Sequence, residues 1–339
     1  MRKVIIYITS IVIICFVIPI FFTTKFSERK SDTKTENEET NIIEDTSKKD
    51  NLNVYDYKNY NTIKLLHSKT DEIEDIKLDE YLYGVVSSEM PASFEKEALN
   101  AQAIVARTYT IYKIVNSSNH KDAHICDDFA CCQAWISKED RFEKWEESKK
   151  EEYWDKIVAA VNNTQGKIIT YNNEPINAFF HSNSGGVTEI PLNVWGGSGY
   201  PYLQTVQTSG EESYTQYASE VILTKEEVFN KVKEKYDDIQ IDWSLEDEIK
   251  IIEYTEAGRV KSLKIGNKNL SGVEVRSILG LKSTNFEIVS DETSIKFIVK
   301  GYGHGVGMSQ TGADSMAKAG SNYEEIIKHF YTGVEITNI

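Results

Sequence analysis

An α+β fold is predicted, and three observations predict it. Helix-like and strand-like segments do not alternate regularly along the chain, which argues against a parallel, doubly wound sheet. Two long apolar helical runs, one leading up to Glu89 and one over residues 94–116, stand next to each other near the start of the folded region. Short β-rich runs broken by Gly and Asn follow, and no internal repeat is present. The 339 residues suffice for one large domain or two small ones. Residues 61–339 are read as one folded domain, with about 221–300 as an inserted smaller α/β subdomain.

The N-terminal part is read differently. Residues 4–22 hold no charge and, as a helix, would span roughly 29 Å, about one hydrocarbon thickness. Arg2 and Lys3 precede them, and no small-residue cleavage site follows, so the segment reads as an uncleaved transmembrane anchor. Residues 1–3 are then a short cytoplasmic N-terminus and the C-terminal domain lies outside, although Lys25, Arg29 and Lys30 beyond the span weaken the charge argument. Residues 23–60, rich in Ser, Thr, Lys, Glu, Asp and Asn, bury too little apolar surface to offset ordering and read as a flexible linker.

Within the domain, residues 62–83 read as a strand plus the start of the helix that carries Glu89. Pro91 disfavours helical geometry before it, so this helix ends near Glu89 or Met90. Ser93 is the expected N-cap of the second helix, with Glu95 and Glu97 in its first turn. Residues 98, 101, 102, 105, 109 and 112 share one face, much of it small, which admits close approach of another element. Residues 117–137 form a Cys/His-rich loop and 151–163 a helix. Residues 167–171 and 177–181 read as strands around an Asn172-Asn173 turn. A helix over 225–236, a hairpin over 250–265 turning near 256–258, a short helix over 272–280 and a strand over 294–299 follow. Two helices near 310–319 and 322–331 close the chain, with Gly320 as a C-cap.

Composition excludes some partners. A net charge of −15 and the absence of a basic stripe argue against nucleic acid and against a highly anionic substrate. A glycan of modest charge fits better.

Glu89 is the first candidate for chemistry. A carboxylate in a last helical turn feels the negative end of the helix dipole, and apolar neighbours penalise its ionisation. Both favour the protonated form that a general acid needs. The competing reading is a helix-end Glu exposed to water. His120, His124, Cys126, Cys131 and Cys132 crowd into thirteen residues. Their chemistry suits zinc, but the spacing is not that of a zinc ribbon, and a disulfide or free thiols fit the pattern too. His181-Ser182 before Gly185-Gly186 reads as a tight loop with a satisfied histidine, or as a backbone bared for a ligand. Gly301 to Gly307 alternates glycine with other residues and enters a helix through Ser309-Gln310, projecting His304 and Gln310. It is neither a P-loop nor a dinucleotide fingerprint.

Tyr83-Gly84-Val85-Val86-Ser87-Ser88-Glu89-Met90-Pro91, with Ala98, Gln102-Ala103 and Val105-Ala106-Arg107-Thr108-Tyr109, resembles the stage II sporulation protein D family of lytic transglycosylases. Later blocks extend the resemblance from about Tyr81 to Tyr331. It implies a single catalytic domain in which Glu89 is the acid/base. It implies cleavage between N-acetylmuramic acid and N-acetylglucosamine of stripped glycan strands, leaving a 1,6-anhydromuramyl end. Arg107, His181, Ser182, His304, Ser309 and Gln310 become the candidate substrate contacts. Some clostridial members bind zinc through a spacing matched by His120, Cys126 and Cys132, with Cys131 where a His often stands, and the role implied is structural. The implied setting is engulfment in sporulation, at the mother-cell membrane facing the forespore, with a wall amidase and other membrane proteins as partners. Two other classes compete. A related branch enhances an amidase, binding glycan without cutting. A zinc hydrolase would need HExxH or a comparable arrangement, which the chain lacks.

Overall fold

The computed structural model describes residues 56–116, 120–197, 199–245 and 247–339. The predicted anchor and all but the end of the predicted linker lie outside the described residues. Among those described, no helix is long and apolar enough to cross a membrane.

The element order is mixed, as an α+β class requires. Strands β1 (Thr62–His67) and β2 (Glu72–Lys77) form an antiparallel hairpin, where a single strand was expected. Helices α1 (Leu78–Glu89) and α2 (Lys96–Val115) follow. Strand β3 (Ile125–Cys126) pairs parallel to β1 and ties the Cys/His loop to the hairpin. Helices α3 (Lys138–Lys144) and α4 (Lys150–Asn163) come next, and α3 had no sequence expectation. Strands β4 (Lys167–Tyr171) and β5 (Glu174–Pro175) turn at Asn172 and Asn173, both at positive φ as the Asn-Asn turn predicted. Only Phe180–His181, β6, is a strand within 177–181, and α5 (Pro191–Trp195) is one short turn beyond it.

The second half begins with β7 (Ala218–Thr224) and α6 (Lys225–Lys235). Then come β8 (Ile249–Tyr254), β9 (Val260–Ile265), β10 (Lys268–Ser271) and α7 (Gly272–Leu279). Strands β11 (Asn285–Ser290), β12 (Ser294–Lys300) and β13 (Met308–Ser309) lead to α8 (Gln310–Lys318), α9 (Tyr323–Phe330) and β14 (Glu335–Asn338). The small sheets run β2-β1-β3, β10-β9-β8, β11-β12-β7, β13-β6 and β14-β4-β5.

Helix α2 is the centre of the main core. Ala98 to Ile111 are buried on every side, so the one-face reading understated its burial. Its N-terminus also differs from expectation. Phe94 N–H turns back to the Pro91 carbonyl, so the helix starts two residues later with Glu95 as N-cap. Buried Asp314 on α8 then accepts the Glu95 N–H at 2.7 Å, and a distant side chain does the work expected of Ser93. A second group of buried side chains, Val228 to Val299, packs among α6, α7 and the two sheets β10-β9-β8 and β11-β12-β7. It lies within residues 221–300, but the described residues all belong to one compact unit, so it is a second cluster of that unit.

Candidate active site

Pro91 stops α1 where expected, and Glu89 is its last residue. A cavity of about 340 Å³ opens there, lined by Ser88 to Phe94, by Arg141, Trp145 and Tyr153, and by Ser182, Gln216, Gln310 and Thr311. Among these lining residues Glu89 is the one carboxylate and Arg141 the one cation.

Both Glu89 oxygens are held. Oε1 accepts the Ala134 backbone N–H at 2.7 Å, and Oε2 accepts the Gln310 side-chain amide at 3.4 Å. Burial raises the Glu89 pKa to about 7, and these two hydrogen bonds oppose the rise. Desolvation therefore outweighs hydrogen bonding here, and the acid stands near half-protonation at neutral pH.

The Ala134 N–H is aimed by its neighbours. The Gln133 amide donates to the Tyr81 hydroxyl and to Thr110 Oγ1, each at 3.1 Å in the core. Trp135 lies on Gly84 of α1, where a Cβ would come within 2.3 Å of the indole nitrogen. Gly84 thus lets the loop close over α1 one turn before Glu89. None of this was read from the sequence.

Immediately upstream, His120, Cys126, Cys131 and Cys132 place their ligand atoms within 4.8 Å of one another. His120 Nε2 lies 3.3 Å from Cys132 Sγ and 3.6 Å from Cys131 Sγ, and the two sulfurs are 4.0 Å apart. A tetrahedral zinc with bonds of about 2.0–2.3 Å needs ligand separations of roughly 3.3–3.8 Å, so the four donors stand slightly wider than a closed site and would draw in by less than about 1 Å around a metal of that kind. The expected set of three is widened by Cys131. The three thiols are free, which sets the disulfide reading aside.

The candidate substrate contacts divide. Ser182 and Gln310 line the cavity. Arg107, His181, His304 and Ser309 do not; Arg107, His181 and Ser309 are buried, which corrects their assignment as direct glycan contacts, whereas His304 is partly exposed outside this lining. Arg107 is 0 % exposed and donates to the carbonyls of Val161, Thr164 and Lys167, closing the C-terminal end of α4. His181 is 4 % exposed, with Nδ1 against the Val306 carbonyl, and burial lowers its pKa to about 4. His304 Nδ1 accepts the Val306 N–H, and its ring packs 5.0 Å from Trp195. Burial pushes it well below the usual histidine range, so both rings are neutral. Ser309 caps α8 and donates to buried Glu211.

Glu211 was not foreseen. It also accepts from Ser184, Thr208, Thr311 and the Gly186 N–H, and these hydrogen bonds hold it at about 2 against the burial that would raise it. It pins the Ser182–Gly186 loop to the start of α8, which carries Gln310 toward Glu89.

The family model described as SpoIID, Stage II sporulation protein, matches residues 66–171. Stage II sporulation protein D of Bacillus subtilis is 37 % identical over 278 residues, 81 % of this chain and 79 % of that protein. The chain belongs to the stage II sporulation protein D family. Its Bacillus amyloliquefaciens counterpart is 36 % identical over 81 % of this chain and 78 % of its own length. The amidase enhancer of Bacillus subtilis is 29 % identical over 76 % of this chain but only 40 % of its own length. The family match spans α1, α2, the Cys/His loop, α3, α4 and β4, and so includes both Glu89 and the loop that holds it.

Proposed function

We propose that this member of the stage II sporulation protein D family is a peptidoglycan lytic transglycosylase in which Glu89 is first acid and then base. One observation carries the reading. A single carboxylate, desolvated until its pKa is near 7, lines a cavity with no second acid among its described lining residues. Hydrolysis of glycosides ordinarily uses two carboxylates. One suffices when the substrate supplies its own nucleophile.

Protonated Glu89 gives its proton to the glycosidic oxygen as the bond to muramyl C1 breaks, and the electron pair leaves with that oxygen. The carboxylate then takes the proton of the same sugar's C6 hydroxyl while O6 bonds to C1. The products are a new N-acetylglucosamine end and a 1,6-anhydromuramyl end. Glu89 regains its proton and no water is consumed. Gln310 and the Ala134 N–H keep the carboxylate oriented in both steps, and Ser182 offers the sugar a hydroxyl.

The metal is proposed to be zinc, held by His120, Cys126, Cys131 and Cys132. Four protein ligands would close the coordination sphere, so the ion would supply loop structure and no open catalytic position. The proposed setting is sporulation engulfment. Residues 4–22 would anchor the domain in the mother-cell membrane facing the forespore, and a wall amidase would strip the glycan first. The likeness to the amidase enhancer favours a second reading, in which the same cavity binds glycan and stimulates an amidase.

The test is to incubate the protein with amidase-stripped glycan strands and weigh the products. Ends lighter by one water, absent with Glu89→Gln, support the transglycosylase. Hydrated ends mean hydrolysis, and retained binding without cleavage means the enhancer.

A further inference from the structure

The wall formed by α3 and α4 takes no part in holding Glu89. Arg141 on α3 and Trp145 and Tyr153 beyond it line the same cavity. The Arg141 guanidinium lies over the Trp145 ring, 4.9 Å from its centre, and Tyr153 meets Trp145 edge-on at 5.6 Å. Among the described residues no carboxylate pairs with Arg141, and its Nε is buried without a hydrogen-bond partner. Ion pairs serve many other cations of this acidic domain, including Lys149 and Lys150 at the start of α4. A half-buried guanidinium kept free in a substrate cavity is poised for an anion from outside, because burying a charge unpaired is unfavourable. Its planar fork matches a carboxylate through two parallel N–H bonds.

We propose that Arg141 is a specificity-determining residue that recognises the free lactyl carboxylate of a stripped muramyl residue, with the Trp145 and Tyr153 rings beside it. The proposal rests on the glycan reading above and deepens it. A muramyl residue that still carries its stem peptide has an amide in place of this carboxylate. It offers neither the charge nor the two equivalent acceptor oxygens, and the peptide adds bulk at the same point. The cavity would thereby select strands that an amidase has already processed, through one contact separate from the acid.

The experiment measures binding so that cleavage is not required. The full chain carrying Glu89→Gln is titrated calorimetrically with stripped strands and with the same strands after conversion of the lactyl carboxylates to methylamides. A charge-assisted hydrogen bond predicts a preference of roughly 10- to 100-fold for the carboxylate strands. Adding Arg141→Gln should erase that preference while affinity for the methylamide strands changes little. Arg141→Lys should restore part of it, and thermal unfolding verifies that the variants fold. Equal affinity of the Glu89→Gln protein for both strands, or no binding of either, overturns the proposal. So does a preference that survives Arg141→Gln. If the wild-type chain fails to cleave strands yet shows the Arg141-dependent preference, the transglycosylase reading falls and the carboxylate site stands.

Discussion

Replacing Glu89 with Gln should stabilise the folded protein, and by more as the pH rises. The unfolded carboxylate titrates near 4.5 and the folded one near 7. Below about pH 4.5 both states hold the proton and the group is neutral throughout. Between these values the unfolded state ionises while the folded state keeps its proton, so stability falls with pH. Above about 7 the full loss is present, and a shift of this size corresponds to about 3 kcal/mol. Gln does not titrate. Its carbonyl can still accept the Ala134 N–H, and the Gln310 amide can turn its oxygen toward the new amide. The Tm of Glu89→Gln should therefore nearly match wild type at pH 4 and exceed it by roughly 6 °C at pH 8. Glu211 pulls the other way, because its depressed pKa makes stability fall as pH drops below about 4.5 toward 2. It is present in both proteins and cancels in the difference. Thermal unfolding of the two full-length chains from pH 4 to 8 is the assay. A constant difference between the curves would refute the assignment of Glu89 as a desolvated acid.

Three further outcomes are expected. Gly84→Ala gains about 1 kcal/mol of helix propensity but drives a methyl into Trp135, so it should destabilise by about 2 kcal/mol net and slow cleavage by shifting Ala134; a more stable variant would contradict this. Arg107→Ala removes a buried charged donor shared by the carbonyls of Val161, Thr164 and Lys167 and the cation facing Asp79, and should cost about 3–5 kcal/mol in denaturant unfolding. Its KM for glycan, measured on the fraction that remains folded, should stay within a few-fold of wild type. Chelation should expose Cys126, Cys131 and Cys132 to a thiol reagent and lower the Tm, and thiol reactivity indifferent to the chelator would remove the metal from the account.

What could be read in advance follows from the range of the interactions. The C-terminal end of α1, the Asn172-Asn173 turn and the short helix over 272–279 are set by residues a few positions apart. Those were all foreseeable. Arg107 was misread because the carbonyls it serves lie 54 to 60 positions downstream, and a charged residue on a helix looks exposed until they are placed. Ser93 lost its role to Asp314, more than two hundred positions away. Glu211 is one of 53 acids, with no local pattern to mark its convergence of hydroxyls. Arg141 lies on a seven-residue helix with no fully buried residue, so no apolar periodicity announced it.

The choice between enzyme and glycan-binding enhancer can be argued from the free energy stored at Glu89. A cleft that only binds sugar has no need of a carboxylate whose ionisation is penalised by about 3 kcal/mol. A Gln at this position would make the same two hydrogen bonds, and the folded state would be more stable at neutral pH. Groups held so far from their ordinary pKa concentrate where a proton must be moved. The surrounding construction points the same way. Gln133 anchored in the core, Trp135 seated on Gly84, and the His/Cys cluster just upstream all fix one backbone N–H against one carboxylate oxygen. That N–H lowers the Glu89 pKa, so the loop does not create the perturbation but limits it, leaving the acid near 7 rather than permanently protonated. An acid that must give its proton in one step and take another in the next requires such a midpoint, because a carboxyl that never ionises cannot act as the base.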